Sequence, residues 1–434
     1  MLANNTIKHT PITSLLNRYF ASAVSQGAKF TPSNETVPVR LEKAAQKYPF
    51  FDALLFPNEA SSLKFNFKEL WGGVSGLASG FVEANIKNQQ PVMTNAPQSS
   101  EHVFTQMAAA AAGVPFVPVA PESTLSQIGE VLATSSSKAL VLAEVKNRVI
   151  VDEAIAFFPN LDRITMDEYH RDSRFPELKY IITTSDFQEP GIDLFKEFVL
   201  QVNLLKKTKT TPTSLSTLIP TKDGKLVGFT QNSLINTGDA LFGLLGLRTQ
   251  DRVSFSVPFH NGTSYALYLG CLSNGTLVIV PSHSFSVETT LSTIHENKSS
   301  MLVVSGEQLE ALLTSDKLNK FDLKSLQSLV VCGNVKLDLL KQAEERLKVK
   351  RISNIDVVVN TPGQLTGVVF NQSGVGQLLP GIEAKVVDKS GKTVEQGQTG
   401  TLYTKGYHVN NNVKDWLDTE VSAKINQDGT ITKL

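Results

Sequence analysis

Histidine and cysteine are the side chains of this sequence best suited to hold a metal or act as nucleophiles, and there are seven of the first and two of the second. His9, His102, His170, His283, His295 and His408 show none of the close spacings that bring two ligands to one ion. Cys271 lies in an apolar, helix-like run and Cys332 ends an apolar strand, so both read as core thiols. Two cysteines exclude a disulfide framework and a cysteine-rich zinc site, and they fit a reducing compartment. There is no Gly-x-Ser-x-Gly elbow, which argues against a Ser-His-Asp hydrolase. The mixed run Glu344-Glu345-Arg346-Leu347-Lys348 is a solvated helix face.

The chain has 434 residues, with 41 Lys+Arg against 41 Asp+Glu. Balanced charge excludes a broadly basic nucleic-acid binder. The most apolar stretch, Met107 to Pro121, is too short to span a bilayer and carries three prolines. From Val37 onward, helix and strand patterns alternate. Helices are expected at Val39 to Tyr48, Phe67 to Asn85, Ser100 to Ala112 and Thr124 to Thr134. Strands are expected at Leu63 to Phe67, Phe116 to Val119 and Ala139 to Leu142. A polar loop, Lys206 to Ser214, precedes strands at Ser216 to Ile219 and Leu226 to Thr230 and a helix at Gln231 to Leu245. The same rhythm resumes in strands at Val253 to Val257, Thr276 to Val280, Met301 to Val304 and Leu329 to Val331. Such alternation implies a parallel, doubly wound sheet. After Gly376 the strands become short, with hairpin turns at Lys389-Ser390-Gly391 and Asp428-Gly429.

Residues 1–34 hold no Asp or Glu, three Lys/Arg and eight Ser/Thr. Thr10-Pro11 reads as a helix start, followed by apolar residues at helical spacing. This is the composition of a mitochondrial transit segment, with cleavage expected after Phe20. Thr432-Lys433-Leu434 is similar to a peroxisomal tripeptide, which makes that organelle the alternative.

Several motifs in this order resemble the adenylate-forming, or AMP-binding, superfamily of acyl-CoA synthetases and luciferases. Asn66-Phe67-Lys68-Glu69-Leu70, Ala112-Gly113-Val114-Pro115-Phe116-Val117-Pro118, Pro258-Phe259-His260-Asn261-Gly262 and Cys332-Gly333-Asn334-Val335 each look like a family element. Leu378-Leu379-Pro380-Gly381-Ile382-Glu383-Ala384-Lys385-Val386-Val387-Asp388 matches best and is similar to the strand opening the family's small β-barrel. The resemblance covers the chain from about residue 37 to the end. It implies an α/β fold: the large N-terminal domain of an acyl-CoA synthetase-like protein, with two doubly wound subdomains and a truncated β-barrel. The expected division is a basic arm (1–36), an α/β subdomain (37–213), a second one with the ATP-site motifs (214–375) and the truncated barrel (376–434). His260 would face the acyl pocket, or would be a packed histidine behind a strand end.

The implied chemistry is activation of a carboxylate with ATP, and the positions that would perform it depart from the family pattern. The phosphate loop, Ser-Gly-Thr-Thr-Gly-x-Pro-Lys in the family, reads Leu218-Ile219-Pro220-Thr221-Lys222-Asp223-Gly224-Lys225 and keeps only Thr221 and Lys225. Pro220 has no N–H to donate, and Asp223 places negative charge near phosphate. Lys225 reads more simply as an exposed lysine on a solvated turn. In Asn360-Thr361-Pro362-Gly363-Gln364-Leu365-Thr366, Asn360 and Gly363 persist. Thr366 stands where the metal-binding glutamate would be, and a neutral hydroxyl is a poor hard-cation ligand. Trp416-Leu417-Asp418-Thr419-Glu420-Val421 keeps Trp416 and Thr419 but puts Val421 at the ribose-binding aspartate. The family's C-terminal lid domain, with its lysine, would follow the point where this sequence stops.

These departures lead to the expectation of a catalytically inactive relative. It would have no catalytic residue, cofactor or metal, and Thr221, Lys225, His260, Gly333, Asn360, Gly363, Thr366 and Thr419 would be vestigial pocket positions. Such a protein would serve as a structural or accessory subunit of a membrane-associated mitochondrial complex, with protein subunits as partners and no nucleic acid. The alternatives are a module that binds acyl-CoA, fatty acid or nucleotide, and an active acid–CoA ligase completed by another chain.

Overall fold

The structure, a computed structural model, describes residues 24–59, 62–87, 89–143, 150–164, 168–187, 189–221, 223–355, 365–409 and 415–434. The helical expectation at Thr10-Pro11 and the candidates Asn360 and Gly363 lie outside them. No helix of the described residues is long and apolar enough to cross a membrane.

Two sheets carry the fold. Parallel strands β4 (Val92–Thr94), β5 (Phe116–Pro118), β6 (Ala139–Leu142), β7 (Tyr180–Thr183) and β8 (Asp193–Leu194) form the smaller one with β9 (Leu215–Pro220) and β10 (Leu226–Thr230), in the order β10-β9-β5-β4-β6-β7-β8. Among the described residues the larger sheet has 14 strands. Its parallel half runs β15 (Arg351–Ile355), β14 (Ser328–Cys332), β13 (Met301–Ser305), β11 (Arg252–Phe255), β12 (Leu277–Ile279) and β2 (Asp52–Phe56), with β3 (Leu63–Asn66) at the edge. Beyond β15 the order continues antiparallel through β16 (Val368–Asn371), β17 (Val375–Leu378), β21 (Ile431–Lys433), β20 (Leu417–Ile425), β19 (Thr399–Lys405) and β18 (Glu383–Val387) to β1 (Val24–Gln26). The central parallel strands are short apolar runs because both their faces are covered.

Sheet membership cuts across the expected division at 213/214. β2 and β3 belong to the larger sheet, whereas β9 and β10 join the smaller one. Composition marks the polar loop at 206–214, but pairing depends on which apolar edge is free: Leu54 and Leu55 pair with Val278 and Ile279, and Thr217 pairs with Phe116. At 375/376 the boundary falls inside β17, which pairs with β16 on one side and β21 on the other.

The helices used below are α1 (Val37–Lys47), α2 (Phe67–Glu83), α3 (Ser100–Ala112), α4 (Leu125–Ser135), α5 (Ile150–Phe157), α6 (Gln231–Leu244), α7 (Gly262–Ser273), α8 (Val287–Asn297), α9 (Gly306–Thr314) and α10 (Leu337–Leu347). Their starts follow local capping chemistry. Asn66 and Glu69 exchange side-chain and backbone bonds of 2.9 Å at α2, and Thr124–Gln127 and Ser305–Gln308 do the same at α4 and α9. α3 is buried on every side except at Glu101. One apolar core takes in α2, α3, α6, α7 and the facing sides of both sheets, which locks the two sheets together. Residues 24–37 are tied across this body: Gly27 N–H donates to Ile382, Ser33 N–H to Asn236 Oδ1 and Val37 N–H to Gln231 Oε1.

Candidate functional site

In an open parallel sheet, a crevice forms outside the carboxyl ends of two strands whose connections leave in opposite directions. The smaller sheet has this point between β4 and β6, since the chain goes from β4 to β5 on one side and returns to β6 on the other. The larger sheet has it between β11 and β13. The loops leaving β4 and β11 face each other across a cavity of about 230 Å³. Ala96, Pro97, Gln98 and His102 line it from the first sheet, and Ser256, Pro258, Phe259, His260 and Gln308 from the second. His260 is thus brought to a cavity wall, and burial pushes its imidazole below the ordinary histidine range.

The sequence did not single out His102, which occupies the opposite wall. Its spacing carries no signal; only the register of α3 turns it inward. A buried carboxylate braces the same rim. Glu59 accepts from Ser100 N–H at 2.9 Å and Ser100 Oγ at 3.0 Å, and its Oε1 lies 3.2 Å from His283 Nε2. That hydrogen bond holds the His283 pKa above its ordinary value, and burial opposes it.

Gly333 stands elsewhere. At the end of β14 it adopts φ +97 and donates to Ile355 O at 2.9 Å, and with Asn334 it lines an open cleft of about 630 Å³ between α9 and α10. α9 is the wall common to both spaces: Ser305, Gly306 and Glu307 line the cleft, and Gln308 reaches the cavity.

Thr366 and Thr419 come together in a third place, a crevice of about 20 Å³ in the antiparallel wing shared with Leu402 and Val421. Both hydroxyls are engaged there. Thr366 Oγ1 donates to Val368 O at 2.5 Å and accepts from Val368 N–H at 3.2 Å, and Thr419 Oγ1 donates to Leu402 O at 2.8 Å. A buried hydroxyl bonded in this way does not fit a magnesium ligand. Glu420 is exposed at φ +56, where β20 shifts register against β19.

Thr221 and Lys225 form the turn of the β9–β10 hairpin. Thr221 N–H donates to Lys225 O at 2.8 Å, Lys225 N–H donates to Thr221 Oγ1 at 3.1 Å, and Gly224 supplies the positive φ of +77. Lys225 Nζ pairs with Asp223 at 2.7 Å in full solvent. The hydrogen bond from Lys225 is the main cause holding the Asp223 carboxyl down at about 2.

The family model for AMP-binding enzymes matches residues 41–411. The chain belongs to the AMP-binding enzyme family. The protein provisionally named acyl-CoA synthetase YngI, from Bacillus subtilis, is 24% identical over 422 residues, covering 91% of this chain and 75% of that protein. The mitochondrial medium-chain acyl-CoA ligase ACSF2 of Mus musculus is 22% identical over 406 residues, covering 87% of this chain and 65% of that one. The chain therefore spans about two thirds to three quarters of the length of these relatives. Among solved structures, the luciferase-like enzyme of the mealworm Zophobas morio superposes with a TM-score of 0.76 at 15% identity, over 95% of this chain and 99% of that one. These matches bear out the expected α/β fold and the resemblance.

They also overturn one expectation. The relatives are named as ligases and synthetases and the family is one of enzymes, so the chain is not set aside as an inactive protein without catalytic residues. The physical reason is that groups acting as a unit are not additive. Departures counted one motif position at a time do not sum to zero activity.

Proposed function

We propose that this protein activates a carboxylic acid in the manner of an acid–CoA ligase, with the acid held in the cavity between the sheets and the nucleotide in the cleft beside α9. The observation that supports this most is the meeting of two strand-order reversals at one cavity that contains His260. Ligand sites of open α/β sheets form at such points. Prolines and Phe259 would exclude water, and the α9 wall places the two ligands side by side. Carboxylate-dependent exchange of labelled pyrophosphate into ATP by the purified protein is the expected result. No exchange over a panel of short, medium and aromatic acids would end this reading.

A mitochondrial location is part of the proposal, supported by the acid-free basic arm of residues 1–34 and by the mitochondrial ligases among the relatives. Import of the full chain into isolated mitochondria, with loss of import when residues 1–20 are removed, tests it. Association with protein subunits of a membrane-bound complex is a further proposal resting on the same arm. Migration of the native protein as a free monomer would overturn it.

A further inference from the structure

Four cations line one open groove of about 460 Å³ at the amino ends of β14 and β15. Lys324 stands on the loop leading into β14, Arg346 and Lys348 at the end of α10, and Lys350 just before β15. Among the described residues no Asp or Glu lines this groove, although the whole chain balances 41 acidic against 41 basic residues. All four cations are exposed. Elsewhere Arg174 pairs with Asp172, Lys317 with Glu288 and Lys405 with Asp415, but none of these four has an ion pair among the described residues.

Carboxylates on the same loop and helix end lie outside the groove. Asp322 Oδ1 accepts from Lys324 N–H at 3.2 Å, Glu344 Oε1 accepts from Gln372 Nε2 at 3.5 Å, and Glu345 is exposed. The run Glu344-Glu345-Arg346-Leu347-Lys348 is thus divided, and only its last three residues line the groove. The C-terminal carbonyls of α10 stabilise nearby cations, which accounts for Arg346 and Lys348. They do not account for Lys324 and Lys350, which lie outside the helix.

The groove also offers apolar surface. Phe321 and Leu323 line it half-buried, beside the buried Leu318, Leu326 and Leu347. A free phosphate would leave that surface uncovered. A flat bilayer cannot reach a recessed floor. A small molecule is held by a site that encloses most of it, and this groove is open. An extended peptide meets both demands: it lies across an open groove, its carboxylates reach the cations, and an apolar side chain covers Phe321 and Leu323.

We propose that this groove docks an acidic segment of a partner protein, with carboxylates against Lys324, Arg346, Lys348 and Lys350. The cavity and the cleft of the proposed reaction lie at the carboxyl ends of the strands, so this partner leaves both open and its docking is independent of the chemistry.

The test uses the purified full chain and three labelled peptides that alternate Leu with Glu, Gln or Lys, read by fluorescence anisotropy at low and at physiological salt. The Glu peptide should bind about 10-fold or more tighter than the Gln peptide, salt should weaken it, and the Lys peptide should not bind. Lys348→Glu with Lys350→Glu should cut its affinity about 10-fold. Lys341→Glu with Lys389→Glu, the same change of charge at exposed positions off the groove, should leave it within about twofold. Circular dichroism confirms that both double variants are folded. Pyrophosphate exchange should be equal in the two, so that failure of this proposal and failure of the ligase reading are seen separately. Equal binding of the Glu and Gln peptides overturns the proposal, and so does an equal loss in both double variants. Unchanged peptide affinity in the groove variant overturns it as well. In that case loss of ADP binding would make the groove a phosphate site, loss of co-sedimentation with phosphatidylcholine–cardiolipin vesicles a membrane contact, and loss of a dimer in sedimentation velocity a contact with a second copy.

Discussion

The cavity at the facing sheet ends and the crevice in the antiparallel wing differ in what their polar groups are free to do. In the wing, Thr366 and Thr419 bond their own backbone neighbourhood and the space between them is about 20 Å³. In the cavity, about 230 Å³ is open beside the side chains of His260 and Glu122, and the buried His102 Nε2 in its wall has no hydrogen-bond partner among the described residues. The hairpin turn at Thr221–Lys225 is closed like the wing, by its own hydroxyl and its own ion pair. Retained residue type is therefore a weak guide to a working site, and unspent bonding capacity beside open volume is a better one.

Breaking the cavity wall should have the largest effect. Phe259 is 1% exposed, with its ring 4.5 Å from that of Tyr268 and 5.8 Å from that of Phe255. Phe259→Ala should destabilise the protein by about 3–5 kcal/mol, the usual cost of emptying a core aromatic site, and should enlarge the cavity. Denaturant unfolding measures the first effect and acid titration the second. A loss below about 1 kcal/mol would show that the cavity wall is not part of the core.

The next effect is a pH dependence. The folded pKa of His102 lies below its unfolded value, so the unfolded chain binds more protons between about pH 6.5 and 4, and stability falls on acidification through that window. At pH 4 this amounts to about 3 kcal/mol at 1.36 kcal/mol per pKa unit. His102→Phe should flatten that part of the stability–pH curve, and His408, pushed by burial down to about 3, should account for loss that remains together with His170 and His260, which burial also lowers. Identical curves for the two proteins would place His102 in a wetter setting.

The closed sites should respond less. Thr366→Val removes a buried hydroxyl with a donor and an acceptor contact, and a loss of about 1 kcal/mol is expected with acid uptake unchanged. Lys225→Ala, on a fully exposed turn, should leave the unfolding midpoint where it was. If the same variant abolishes pyrophosphate exchange, the turn opens to grip phosphate and the contrast with the cavity narrows.

Much of the local architecture is legible in the sequence. The limits of α3 follow from Ser99, which caps it, and Gly113, which ends it, and those of β6 from Ala139–Leu142 being a short, fully buried apolar run. The hairpin closed by Asp428 is also legible: its Oδ1 accepts from Thr430 N–H at 3.0 Å. The exchange of β2–β3 and β9–β10 between sheets is not, since nothing local distinguishes one apolar edge from another. At the site, His260 is found through its motif. His102 escapes notice, because one histidine on a helix carries no spacing signal and its meaning depends on the Ala96 carbonyl and on a cavity made by another sheet.

By itself the sequence determined the alternation of helix and strand, the helix starts and the family likeness. These depend on residues close together in the chain, where capping bonds and hydrophobic period act over a few positions. Only the tertiary structure decided which strands share a sheet, that two order reversals face one cavity, and which polar atoms were left without partners. Those outcomes depend on packing between residues far apart in the chain, and no local pattern encodes the volume that such packing leaves open.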